Sequence, residues 1–333
     1  MSVPAVSVVM PTYERLTYLS EALDSVLAQT FGDFEVVVSD NGSSAEVRRL
    51  VESRGDARVR YRHNGENIGL QANMLAGYRA ARAELVTTLH DDDVWEPTFL
   101  ARLVPPLQQD PSISIAFCDY WVMGPDGAVD VRASQRNSRR EGRTGLVEGV
   151  HEDALPLAVV QQSIQVSYAA VFRRSVDLDA VPADLAPLYD LWIAYLATVD
   201  GAGAWYCAER LTRYRHHGGS ATANAPFYPQ EAASYARFLD DHRLTALRPA
   251  LRRKKARAEL RSALRSLLDE GDAGRARRQA ATSLRTAATP LGVGVLLGTT
   301  VPGGPAALRL VRDWRHKHTL TVVASSARGS APA

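Results

Sequence analysis

Thr87-Thr88-Leu89-His90-Asp91-Asp92-Asp93-Val94-Trp95-Glu96-Pro97 is the stretch that decides how this chain is read. A β-branched, apolar run ends in three consecutive carboxylates, and Pro97 then opens a helical pattern. Three like charges at one strand end repel one another and need a compensating cation. A divalent metal carrying a diphosphate is the natural choice. Working outward, residues 85–89 are the last of four short apolar runs, after 6–10, 34–39 and 59–62. Helical spacings separate them at 16–29, 45–53 and 70–82, the first with Leu16, Leu19, Leu23, Val26 and Leu27 on one face. Strand–helix alternation with continuously apolar strands predicts a parallel sheet covered on both faces. Ligands of such sheets sit beyond the carboxyl ends of the strands. Pro11-Thr12-Tyr13-Glu14, Asp40-Asn41-Gly42 and His90 to Asp93 all stand at such ends, so three polar clusters converge on one rim.

The 333 residues are enough for one large α/β domain with an appendage, or for two domains. A composition of 46% hydrophobic and 23% charged residues argues for a globular chain and against disorder. The net charge of +2 hides a cluster of Arg252, Arg253, Lys254, Lys255, Arg257, Arg261 and Arg265. Cys118 and Cys207 lie in apolar runs without metal-ligand spacing and are expected to be buried, reduced thiols. No signal-peptide pattern is read, and no apolar run reaches the roughly 18 residues of a spanning helix, so a cytoplasmic location is expected.

After Pro97 the pattern predicts a helix to about Gln109, a strand over 113–122 and a hairpin turn at Gly124-Pro125-Asp126-Gly127. Residues 134–149 are polar and Arg/Gly-rich and read as a mobile loop. A strand at 166–172, a helix at 188–198 and a strand at 205–214 follow, the last ending in Arg215-His216-His217-Gly218-Gly219-Ser220. From Gln230 onward the spacing is helical, which places a boundary near Pro226.

Taken in order, Val8-Val9-Met10-Pro11-Thr12-Tyr13-Glu14-Arg15, Val37-Val38-Ser39-Asp40-Asn41-Gly42-Ser43-Ser44, Asn67-Ile68-Gly69, the Asp cluster and Tyr214-Arg215-His216-His217 resemble the motifs of family 2 glycosyltransferases with the GT-A fold. The resemblance covers about the first 220 residues. It implies a Rossmann-like, mostly parallel sheet flanked by helices, with a helical C-terminal extension. Domains would run 1–225 (1–97 the nucleotide-sugar half, 98–225 the acceptor half) and 226–324, with 325–333 a disordered tail. It also implies inverting transfer of a sugar from a nucleotide diphosphate donor, with Mg²⁺ or Mn²⁺.

Residue by residue, the resemblance makes His90-Asp91-Asp92 the Asp-x-Asp-type element, with His90 where the first Asp often stands. Asp92 becomes the metal ligand, and Asp91 faces the ribose or a metal-bound water. Asp40 would accept N3–H of uracil or thymine, and Pro11, Thr12, Tyr13 and Glu14 would line the nucleotide opposite. Asn67 and Gly69 would meet ribose or phosphate at a helix start. Arg215 would pair with phosphate, and His217 with metal or phosphate. Asp190 would be the base, with Tyr189 in place of the usual Glu and Asp184 as runner-up. Plainer roles stay open: Asp93 as helix cap, Asp40 in an Asx-turn, Tyr13 as core aromatic, Asn67 and Asp190 as caps and Arg215 to His217 as a solvated turn.

The expected function is transfer from a UDP- or dTDP-sugar to a glycan or lipid-linked acceptor in envelope polysaccharide or glycoconjugate synthesis. A soluble natural-product acceptor, or a non-catalytic nucleotide-binding partner protein of this fold, remains as the alternative. A nucleotidylyltransferase lacks its Gly-rich phosphate loop here, and Gly-x-Gly-x-x-Gly does not follow the first strand as a dinucleotide oxidoreductase requires. No nucleic-acid partner is expected. The apolar run at 290–297 with Arg309, Arg312, Arg315 and Lys317 after it fits peripheral contact with the anionic inner face of a membrane, or core packing.

Overall fold

Seven consecutive buried residues, Val6–Thr12, form β1. Valines on both faces of a strand suit a sheet covered on both sides. The structure, a computed structural model, describes residues 3–42, 45–219, 227–288 and 290–300. Ser43, Ser44, Ser220, the basic residues at 309–317 and the expected tail lie outside them. After β1 come α1 (Leu16–Leu27), β2 (Phe34–Asp40), α2 (Ala45–Ser53), β3 (Val59–His63), α3 (Leu70–Ala80) and β4 (Leu85–Thr88). β1 pairs in parallel with β2 and β4, and β2 with β3. The register sets Thr12 beside Asp40, and Leu89 N–H donates to Val9 O, so the ends of β1, β2 and β4 lie side by side.

The chain continues through β5 (Val94–Trp95), α4 (Phe99–Gln109), β6 (Ile113–Met123), β7 (Val129–Asp130), α5 (Val131–Arg140), β8 (Gly149–His151), β9 (Ala170–Arg173), α6 (Tyr189–Thr198) and β10 (Gly203–Arg215). Among the described residues these strands make one sheet in the order β3-β2-β1-β4-β9-β6-β10-β5, with β7 on β6 and β8 on β10. β9 is antiparallel to both β4 and β6, and β10 is parallel to β6. The sheet is therefore α/β and mostly parallel on the β1 side, mixed beyond. Leu19, Leu23 and Val26 of α1 and Leu100, Leu103 and Val104 of α4 share one core with Val8, Val36 and Leu85 of the strands. Each such fully buried side chain contributes about 1.5–3 kcal/mol. Trp95 stacks on Phe99 at 4.1 Å and donates its indole N–H to Tyr168 O, tying the segment after the acidic run to β9's approach.

One expectation is overturned. Residues 134–149 are not one loop: α5 takes up residues 134–140, turns follow, and β8 begins at Gly149. Only Val131 and Ala133 of α5 are apolar, so hydrophobic periodicity had nothing to register. A polar network holds it instead. Ser134 Oγ accepts from Val122 N–H at 2.8 Å, and Ser138 Oγ donates to Asp119 Oδ2 at 2.6 Å. The fully buried Arg143 bridges Asp119 and Glu141, each at 2.8 Å, and donates to Ser163 O. β9 begins only at Ala170, although Val166 is buried as an apolar run predicts. Cys118 and Cys207 are both buried and free.

The chain divides into two compact units between Phe227 and Tyr228. In the second unit lie α7 (Tyr228–Asp240), α8 (Arg248–Leu268), α9 (Ala273–Thr286) and α10 (Pro290–Gly298). Leu260, Ala263, Ala280 and Val295 form a small core there, while Arg252, Arg253 and Arg257 are exposed. Among the described residues no helix is long and apolar enough to cross a membrane.

Candidate functional site

The carboxyl ends of β1 and β4 open onto a cavity of about 1140 Å³. Pro11, Thr12, Tyr13, Asn67, Gly69, His90, Asp91, Asp92 and Asp190 all line it. The sheet register explains much of the gathering: Pro11 and Thr12 end β1, Tyr13 and His90 to Asp92 follow β1 and β4, Asn67 and Gly69 lie between β3 and α3, and Asp190 is in the first turn of α6. Gly69, at φ 85, takes the left-handed turn that starts α3, and Asn67 Oδ1 accepts its N–H at 2.9 Å. Asn41 Nδ2 donates to the same oxygen at 2.6 Å, linking the β2 end to α3.

The acidic run is densely held. Thr12 Oγ1 donates to Asp91 Oδ2 at 2.8 Å, with Tyr13 N–H at 3.3 Å. Arg15 Nη1 reaches Asp91 Oδ1 at 3.3 Å and Asp92 Oδ2 at 2.8 Å. His217 Nε2 lies 3.0 Å from Asp92 Oδ2. Asp93 Oδ1 accepts Arg215 N–H at 2.8 Å, while its Oδ2 is buried with no hydrogen-bond partner among the described residues. Glu14 sits at φ 55, a backbone region costly for a non-glycine residue. That turn lies directly before Arg15.

These cations do not balance the acids. Burial, then the charge of Asp92, pushes Asp91 up to about 7 against Arg15, Thr12 and Tyr13. Burial and then Asp92 likewise raise Asp93 well above the carboxylate range, against the Arg215 amide. Burial lowers His90 and leaves a neutral imidazole. One ligand atom each from His90, Asp92 and Asp93 falls within 4.8 Å of the others. A bare buried oxygen, under-compensated carboxylates and a neutral imidazole together fit a hard divalent cation.

Asp190 lies at the start of α6. Ser167 Oγ donates to its Oδ2, whereas Oδ1 is buried without a hydrogen-bond partner among the described residues. Burial pushes Asp190 up to about 6, against the Ser167 and Tyr189 hydrogen bonds. The Tyr189 hydroxyl hydrogen-bonds His90 Nε2, joining α6 to the acidic run. Such a carboxylate is poised to take a proton near neutral pH.

Several expected residues are not brought to the cavity. Asp40 is fully buried and turned away, its oxygens accepting Gly42 N–H at 2.8 Å and the Tyr61 hydroxyl at 2.7 Å. The Asx-turn left open for Asp-Asn-Gly is therefore formed. Arg215 is also buried, donating to Asp92 O at 2.8 Å and to Pro125 O, and pairing with Glu21 at 2.6 Å. It braces the acidic loop, and the neighbouring His216 lines the cavity. Glu14 and Asp184 are exposed and outside the lining. Sequence reasoning assigned no role to Arg15, Asn41, Ser167 or Tyr189. Arg15 had a signal, as a lone cation three residues after the end of β1.

Residues 7–176 match the model of glycosyl transferase family 2. An uncharacterized glycosyltransferase of Rickettsia prowazekii (strain Madrid E) is 25% identical over 225 residues, 67% of each chain. The GalNAc(5)-diNAcBac-PP-undecaprenol beta-1,3-glucosyltransferase of Campylobacter jejuni is 37% identical over 93 residues, covering 27% of this chain and 30% of its own. Among solved structures, S. aureus TarS 1–349 in complex with UDP-GlcNAc gives a TM-score of 0.63 at 16% identity, over 87% of this chain and 83% of that one. That likeness is one of fold, the GT-A arrangement. With four of its five motifs, those from Val8 to Asp93, inside the matched span, this chain belongs to glycosyl transferase family 2.

Proposed function

We propose that this chain moves a sugar from a UDP- or dTDP-sugar to an acceptor hydroxyl with inversion, in cell-envelope polysaccharide or glycoconjugate synthesis. The observation that carries the reading is one cavity lined both by His90 and Asp92 of the metal-suited cluster and by Asp190, whose Oδ1 has no hydrogen-bond partner among the described residues. The UDP-GlcNAc held by TarS and the undecaprenol-linked glycan named for the Campylobacter relative support the donor and the acceptor class.

In this reading Asp190 Oδ1 takes the proton as the acceptor oxygen attacks the anomeric carbon and the bond to the diphosphate oxygen breaks. Ser167, on Oδ2, orients the carboxylate so that the bare oxygen accepts. A single displacement inverts the centre. His90, Asp92 and Asp93 would hold Mg²⁺ or Mn²⁺, which supplies positive charge for the departing diphosphate. Tyr13, 47% exposed at the rim, offers its ring to the base. With Asp40 committed to Tyr61, the wall of Pro11, Thr12 and Asn41 is left to contact the base.

Donor turnover with Asp92→Asn, and with chelator on the wild type, tests this reading. Each is expected to fall on the order of 100-fold or more. Undiminished turnover in both would remove the metal role. A melting-shift series with UDP, dTDP and GDP, with and without Mn²⁺, reads the nucleotide directly.

A further inference from the structure

The cavity is larger than the about 300–1,000 Å³ of ordinary small-molecule sites, which leaves room beyond a donor. One side of that room is α5. Ala133, Arg136, Asn137 and Arg140 recur at helical spacing and line the cavity together. Arg136 is exposed and has neither hydrogen bond nor ion pair among the described residues. Arg140 lies 2.7 Å from Glu141, but Glu141 is already met by Arg143 at 2.8 Å and by the Tyr120 hydroxyl at 2.9 Å. Asp119 is shared by Arg143 and Arg210. Asp130 also lines the cavity and accepts Ala133 N–H as the cap of α5. Set against Asp119, Glu141 and Asp130, the guanidiniums of Arg136, Arg140, Arg143 and Arg210 leave this wall with a surplus positive charge.

That charge is also held in place. α5 is pinned through Ser134, Ser138, Glu141 and Arg143, so its outer arginines project from a fixed support. A guanidinium presented this way matches the geometry of phosphate or carboxylate oxygens. Donor binding and proton transfer, as assigned above, use neither Arg136 nor Arg140.

We propose that Arg136 and Arg140 select an acceptor bearing an oxyanion, a phosphate or a carboxylate, on or next to the sugar whose hydroxyl reaches Asp190. This rests on the glycosyltransfer reading above and adds the acceptor's charge to it. The test uses the full-length chain with saturating UDP and Mn²⁺, titrated calorimetrically with glucose, glucuronate and glucose 1-phosphate. The wild type is expected to bind at least one anionic probe about tenfold more tightly than glucose. The tighter of the two tells carboxylate from phosphate. In the Arg136→Gln/Arg140→Gln variant that preference should shrink to about twofold or less, with the UDP-induced melting shift unchanged. Arg136→Lys should retain part of it. Equal binding of all three probes, no binding of either anion, or a preference that survives in the double variant would overturn the proposal. An absent UDP shift in the wild type would instead count against the UDP reading of the donor.

Discussion

The two walls of the cavity are held by different forces. The wall carrying Pro11 to Tyr13 and His90 to Asp92 hangs from β1 and β4, whose backbone ladders lie over a core of valines and leucines. Its polar residues occupy their places because strands of fixed register end there. The opposite wall, α5, has almost no apolar surface and is fastened by serines and by the buried Arg143 between Asp119 and Glu141. One wall is built on hydrophobic burial, which is tolerant and non-directional. The other depends on complete polar satisfaction, where losing one partner strands a buried charge. The donor side should therefore resist damage that the far side does not.

Asp190→Asn should give the largest effect, because it removes the carboxylate proposed as the base. Transfer is expected to fall about 10²–10⁴-fold with the nucleotide-induced melting shift intact. Retained turnover would move the base elsewhere. In the wild type the rate should fall as pH drops through about 6, where Asp190 takes up its proton. The folded state binds that proton more tightly than the unfolded chain, whose Asp titrates near 3.8. The group's contribution to stability is thus present below that value and lost as pH rises towards about 6. At pH 7 the Asn variant should accordingly melt above the wild type.

Arg143→Met comes next and separates the walls most sharply. Leaving Asp119 and Glu141 without it should cost about 3–5 kcal/mol in urea unfolding. Amide protection should be lost first in α5, while UDP still shifts the melting temperature. Loss of nucleotide binding in parallel would show that the walls are one cooperative unit. The smallest change is Tyr13→Ala, at an exposed ring on the rim. Nucleotide affinity should fall about tenfold if the ring stacks on the base, with stability unchanged. Unaltered affinity would leave the ring without that role.

Legibility in the sequence follows the same division. Strands β1 to β4 and helices α1 to α4 announce themselves by apolar period, and their ends delivered Thr12, Tyr13, Asn67, Gly69, His90, Asp91 and Asp92 to one cavity. Where a motif residue carried a role by resemblance alone, its side chain had alternatives that only neighbours settle. Asp40 turned to Tyr61 and Arg215 to Glu21, both partners brought near by folding. The Asx-turn of Asp40 onto Gly42 is local and was readable, but nothing local points to Tyr61 or Glu21.

By itself, then, the sequence determined the alternating strands and helices, the rim they create and the acidic run upon it. Periodicity and turn chemistry are local properties, and the chain carries them wherever it goes. Tertiary structure alone decided that a loop-like, arginine-rich segment is α5, that Arg15 crosses to Asp91 and Asp92, and that one oxygen of Asp190 has no hydrogen-bond partner among the described residues. Charge pairing and desolvation depend on distances between residues far apart in sequence, and those distances exist only once the chain has folded.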